Sequence, residues 1–170
     1  MPQLARISIY PIKSLDAVTV REATVLPSGA LAFDRRFALL DLQGRFMNGK
    51  RAPKLQQIRT RFGPDFTTVS LSAPSKGESP TFRLPNQGGS LAGWIGQFLG
   101  EPLVLSENSV VGFPDETQFP GPTLISTATL QTVADWFAIS LEEARARFRA
   151  NLEIDGVEPF WEDRLVPVQP

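Results

Sequence analysis

Along the first hundred residues, hydrophobic and polar positions alternate in short runs that proline and glycine interrupt about every ten residues. Residues 4–10 alternate well enough for a strand, and Pro11 ends it or marks an edge. Residues 18–26 read as a second strand, followed by a Pro27-Ser28-Gly29 turn. In residues 33–54 an apolar run at 37–40 is followed by turn residues at 41–44, and Phe46 and Met47 resume the pattern, which predicts a hairpin of two strands. Short strands are expected at 55–62, 67–72 and 81–84. This regular punctuation predicts a small β-barrel or sandwich.

The pattern then changes period. Leu91, Trp94, Ile95, Phe98 and Leu99 are spaced for one face of a short helix ending near Gly100, with Trp94 and Phe98 as core rather than ligand platform. A strand is expected at 102–105, and residues 106–122 have no period and contain Pro114, Pro120 and Pro122. From Ser126 a helix runs with Leu130, Val133, Ala134 and Phe137 on one face. Ser140 caps another helix over 141–149, with Glu143 as its capping-box partner. Residues 151–154 read as a strand and Asp155-Gly156 as a turn. The last eleven residues lack a clean period, and Phe160 and Trp161 there require a partner to cover them, as if the chain stopped inside a structural unit. The fold class is mainly β with a few helices, α+β.

Composition narrows the chemistry. Hydrophobic residues at 42% and charged residues at 21% are those of an ordinary globular protein. With no run of eighteen apolar residues and no signal-like start, neither membrane nor secretion is indicated, and a cytoplasmic location is the default. No Cys and no His means no thiolate ligand, no Cys nucleophile and no imidazole base. No catalytic residue and no metal ligand is therefore assigned. Asp115 and Glu116, in the long loop, stand no higher than a solvated turn.

Charge is uneven. Residues 1–100 hold 13 Lys or Arg against 6 acids, and residues 101–170 hold 4 against 12. Residues 33–54 alone hold six basic residues and two acids, and Arg35, Arg36, Lys50 and Arg51 are placed to meet across the predicted hairpin. On charge alone, an anion site and a solvated surface are equally good readings. Lys13 and Ser14, just past the first strand, can both donate to phosphate oxygens, although a surface lysine is the ordinary reading of Lys13 taken singly. A net charge of -1 and a pI near 5.5 argue against nucleic acid as partner.

Several stretches together resemble one family. Tyr10-Pro11-Ile12-Lys13-Ser14, Gly29 with Phe33-Asp34-Arg35-Arg36-Phe37, Asp41 with Gly44, Lys50-Arg51-Ala52-Pro53, Phe148-Arg149-Ala150-Asn151 and Trp161-Glu162-Asp163-Arg164 occur in the order found in MOSC proteins that carry an N-terminal β-barrel domain. The mitochondrial amidoxime-reducing component and its bacterial relatives are of this kind. The resemblance implies an N-terminal barrel over residues 1–100 and the start of an incomplete MOSC domain over 101–170. It implies a molybdenum cofactor whose pterin pyrophosphate is held by Lys13 and Arg35, with Ser14, Lys50, Arg149 and Asn151 as further cofactor-binding positions. Ala150 stands where the family has proline. Molybdenum-ion and pyridoxal phosphate binding are further properties the resemblance brings.

The family's molybdenum-ligating Cys lies beyond the matched segments, so the chain is expected to be truncated before it, binding the cofactor without completing the chemistry. Full-length relatives are reductases of N-hydroxylated compounds or sulfur-transfer proteins. The expected partners are the pterin cofactor and either the missing MOSC half or a second copy. The alternative from the residues is a non-catalytic interaction or structural module presenting a basic hairpin.

Overall fold

A computed structural model describes residues 1–165 except Ser75 and Thr117; the end of the unpatterned C-terminal stretch, residues 166–170, lies outside the described residues. The strands are β1 (Gln3–Ile9), β2 (Val18–Val20), β3 (Phe37–Asp41), β4 (Arg59–Phe62), β5 (Thr68–Ser72), β6 (Thr81–Arg83), β7 (Leu103–Glu107), β8 (Leu124–Ser126) and β9 (Leu152–Asp155). The helices are α1 (Gly88–Leu99), α2 (Thr127–Phe137) and α3 (Leu141–Phe148). The fold is α+β. It divides into two compact units, one of residues 1–8, 19–23 and 121–170, the other of residues 9–18 and 24–120.

In the 9–18/24–120 unit, β4, β5 and β6 form an antiparallel sheet in that order. Period-two alternation puts Val69, Leu71 and Phe82 inward. They join Leu39, Met47, Leu55, Leu91 and Ile95 in one buried cluster, the source of most of the unit's hydrophobic stabilisation. Helix α1 turns Leu91, Ala92 and Ile95 into that cluster, and lies so close to the turn leading into β7 that a Cβ on Gly96 would be 2.6 Å from the Glu101 carbonyl oxygen. It stops at Gly100, whose φ of +83° suits glycine and lets its N–H close on Gly96.

The predicted hairpin at 33–54 takes a different form. Its first arm is β3, but the return arm is reduced to a bridge between Leu40 and Phe46 and a bond from the Met47 N–H to the Leu39 carbonyl at 2.8 Å. The backbone curls away because the Asp41 carboxylate gathers the amides of Gln43 and Arg45, and Asn48 then organises a second turn through the amides of Lys50 and Arg51. The regular partner of β3 is β7, antiparallel from Phe37 opposite Glu107 to Asp41 opposite Leu103. Residues 53–57 form a 3-10 turn led by Pro53, so the strand expected from residue 55 begins at Arg59. The second predicted strand shrinks to β2, with an isolated bridge from Val25 to Leu31.

In the other unit one sheet runs β2-β1-β9-β8. Strand β9 is antiparallel to β1 and parallel to β8. Ile125, Leu130, Ala134 and Ala144 form its small core. The Ser126 hydroxyl accepts the Thr129 N–H and the Ser140 hydroxyl accepts the Glu143 N–H, so both helix starts fall at the expected caps. Glu143 does not reach back to complete a capping box; its carboxylate takes Arg147 at 2.6 Å one turn on. Phe160 stacks on Trp136 with ring centroids 5.7 Å apart, part of the cover its position required. Among the described residues, no helix is long and apolar enough to cross a membrane.

Candidate functional site

The segments carrying the first two motifs are laced together by backbone. Arg35 donates its N–H to the Tyr10 carbonyl at 2.7 Å, Phe37 to Pro11 at 2.9 Å, and Lys13 returns its own to Phe37 at 2.8 Å. Pro11 has no N–H, so at this point the segment can only accept. The Asp34 carboxylate takes the Tyr10 N–H at 2.8 Å, fixing where the lacing begins. Ser14 and Arg35 both adopt positive φ, 71° and 47°.

This lacing places Lys13 inside the unit, 8% exposed. Burial of an ammonium without partners is costly, and three groups meet this one. Its Nζ donates to the Phe113 carbonyl at 2.8 Å and to Asp115 Oδ1 at 2.6 Å, and lies 5.3 Å from the centroid of the Phe46 ring. The Phe113 N–H in turn donates to the Arg35 carbonyl at 2.8 Å, so one residue of the long loop ties the Arg35 backbone to the Lys13 side chain. Gly112 makes that approach possible: at φ +73° an added Cβ would lie 2.6 Å from the Asp34 carbonyl oxygen.

Arg35 lies next to this seat. Its guanidinium is ion-paired with Asp34 and sits 5.2 Å from the Tyr10 ring centroid, with 13% of the side chain exposed. The four cations expected to meet across the hairpin are instead engaged separately. Arg36 forms a forked contact with Glu107 at 2.8 and 2.5 Å, Arg51 holds Asp41 at 2.6 Å, and Lys50 is exposed in the turn that Asn48 organises. Ser14 is half-buried in the turn closed by the Leu15 N–H on the Ile12 carbonyl.

Arg149 and Asn151 belong to the other unit. Arg149 is the left-handed C-cap of α3, with φ 55°. Asn151 is 1% exposed; its Nδ2 donates to the Ser8 carbonyl at 3.0 Å, and its Oδ1 accepts from the Thr123 N–H and hydroxyl, each at 3.2 Å. That carboxamide holds three separate stretches of chain together.

Asp41 anchors the basic turn. Burial works to raise its pKa, but the amides of Arg45 and Gln43 and the guanidiniums of Arg51 and Arg45 prevail and hold the carboxyl far below the usual aspartate range. Because the folded value is depressed, this group's contribution is present above the unfolded value of about 4 and lost as pH falls below it. In urea titrations between pH 7 and pH 3, the stability lost by the wild type should exceed that lost by Asp41→Asn. Parallel losses would show that this carboxylate does not tie the turn.

The family profile of the MOSC N-terminal beta barrel domain matches residues 1–92. Molybdenum cofactor sulfurase of Drosophila grimshawi is 27% identical over 195 residues, covering 95% of this chain and 24% of the relative. The same-named protein of Drosophila mojavensis is 28% identical over 190 residues with the same coverage, and molybdenum cofactor sulfurase 2 of Culex quinquefasciatus is 25% identical over 205 residues, covering 95% and 27%. The chain thus spans about a quarter of the length of the curated relatives it matches. With more than half of its residues under one family profile, the chain belongs to the MOSC N-terminal beta barrel domain family.

Proposed function

We propose that this chain is an anion-binding module of molybdenum-cofactor biology, whose Lys13 seat, with Arg35 beside it, takes the pyrophosphate of the pterin. The observation that carries this reading is the buried Lys13 ammonium with a carboxylate already resting on it. A phosphate oxygen is the same kind of acceptor at the same kind of distance. Arg35 supplies a neighbouring planar donor, and Ser14 a hydroxyl one residue on. The relatives' printed names, which concern the molybdenum cofactor, support the choice of pterin among pyrophosphates.

The residues fit the phosphate end of that cofactor and not its metal. Molybdenum is a soft-ligand metal that the family holds by thiolate, and this chain contains no Cys. No redox or sulfur-transfer step is derived for it.

Isothermal titration of the full chain with inorganic pyrophosphate, then with the isolated pterin cofactor, tests the reading. A hydrogen bond to a charged group is worth about 1.5–3 kcal/mol, so Lys13→Met should weaken pyrophosphate binding about tenfold or more. Arg35→Ala should weaken it further. Affinity unchanged by the double substitution would sink the assignment.

A further inference from the structure

The two partners of the Lys13 ion pair are not alike. The lysine side chain is 10% exposed, whereas Asp115 is 86% exposed although its Oδ1 lies 2.6 Å from Nζ. Desolvation is borne here by the cation, while the carboxylate keeps most of its water, so parting the two costs the carboxylate little. Here the cation is fixed from within by the Phe113 carbonyl and the Phe46 ring, and the carboxylate reaches it from solvent. Its segment, between β7 and β8, contains no strand or helix among the described residues.

We propose that Asp115 is a built-in competitor at the Lys13 seat, an internal anion that an incoming phosphate must displace. This rests on the reading of Lys13 as an anion seat and adds how that seat is regulated. A singly charged oxyanion that replaces the carboxylate exchanges one contact for a near equivalent and gains little. A pyrophosphate brings more charge and a second set of oxygens for Arg35, so it can displace the carboxylate with a net gain. The competitor thus keeps weak monoanions out of a buried cationic site while admitting a pyrophosphate.

The experiment is calorimetric titration of the full chain with inorganic pyrophosphate across a set of variants. Asp115→Asn and Asp115→Ala should each bind pyrophosphate about tenfold more tightly than wild type, since a charge-assisted contact no longer has to be broken. Asp115→Glu, which restores the competing charge, should stay within about twofold of wild type on the same grounds. Because Asp115→Asn and Asp115→Ala take a countercharge from a buried ammonium, thermal melts establish that each variant is folded at the titration temperature. If Asp115→Asn binds as wild type does, or more weakly, while Lys13→Met still weakens binding about tenfold or more, the competitor is overturned and the seat stands. If neither wild type nor Asp115→Asn binds pyrophosphate at all, the seat itself is overturned and the competitor with it.

Discussion

Replacing Gly112 by alanine should destabilise the unit of residues 9–18 and 24–120 by about 2–4 kcal/mol and dismantle the Lys13 seat with it. Two costs add. The left-handed backbone at φ +73° disfavours any residue with a Cβ. The new Cβ would also meet the carbonyl oxygens of Asp34 at 2.6 Å and Arg35 at 3.1 Å, which are backbone atoms and cannot rotate aside. Relief requires residues 112 and 113 to lift away, and that lengthens the bond from the Phe113 N–H to the Arg35 carbonyl. The same shift takes the Phe113 carbonyl from the Lys13 ammonium, leaving a buried cation short of an acceptor. Urea denaturation followed through Trp94, with Trp136 and Trp161 changed to phenylalanine in both proteins compared, reads the first effect, and pyrophosphate titration reads the second. A loss below about 1 kcal/mol, less than the conformational term alone, would mean that the loop does not close on residues 34 and 35.

What was legible in the sequence was local. The caps at Ser126 and Ser140 and the stop at Gly100 each depend on groups within four residues, and all three are where the pattern puts them. The apolar face of α1 is equally local: Leu91 and Ile95 are buried as expected, and Trp94, Phe98 and Leu99 pack half-buried against the same cluster. The pairing of β3 with β7 is another matter: Phe37 and Glu107 stand opposite one another across a long stretch of chain, and nothing in either run of residues names its partner. A hairpin return through Phe46 and Met47 had the better pattern, and the side chains of Asp41 and Asn48 defeated it. Strand β8 was missed because its three residues run directly into the cap of α2.

The site divides along the same line. Lys13 and Arg35 stand out through their motifs, and the lacing of residues 10–13 with 34–37 gives those motifs a physical basis, since each fixes the other's backbone. The partners that define the seat, Gly112, Phe113 and Asp115, lie about a hundred residues from Lys13 in an unpatterned loop. Asp115 looks like any solvated acid until the fold sets it against a buried ammonium. A glycine at 112 carries no signal of its own, because the collision it avoids is with chain remote in sequence.

Asn151→Ala should cost the unit of residues 1–8, 19–23 and 121–170 about 2–4 kcal/mol, a loss of scaffold before any loss of ligand. The side chain is 1% exposed and its carboxamide is engaged on both sides: Nδ2 on the Ser8 carbonyl, Oδ1 on the Thr123 N–H and hydroxyl. Truncation leaves the Ser8 carbonyl and the Thr123 amide without these partners in a place water does not readily reach, and unsatisfied buried groups cost more than the bond itself gained. Asn151→Asp should be worse, although its shape is nearly the same. It replaces the donor to Ser8 with an acceptor and buries a charge against a carbonyl oxygen. Thermal melts followed by Trp136 and Trp161 fluorescence, with Trp94 changed to phenylalanine throughout, rank the three proteins. A cofactor donor that does not serve the scaffold would give the opposite pattern, melting unchanged and affinity for the pterin reduced. That pattern would return Asn151 to the binding role its motif implies.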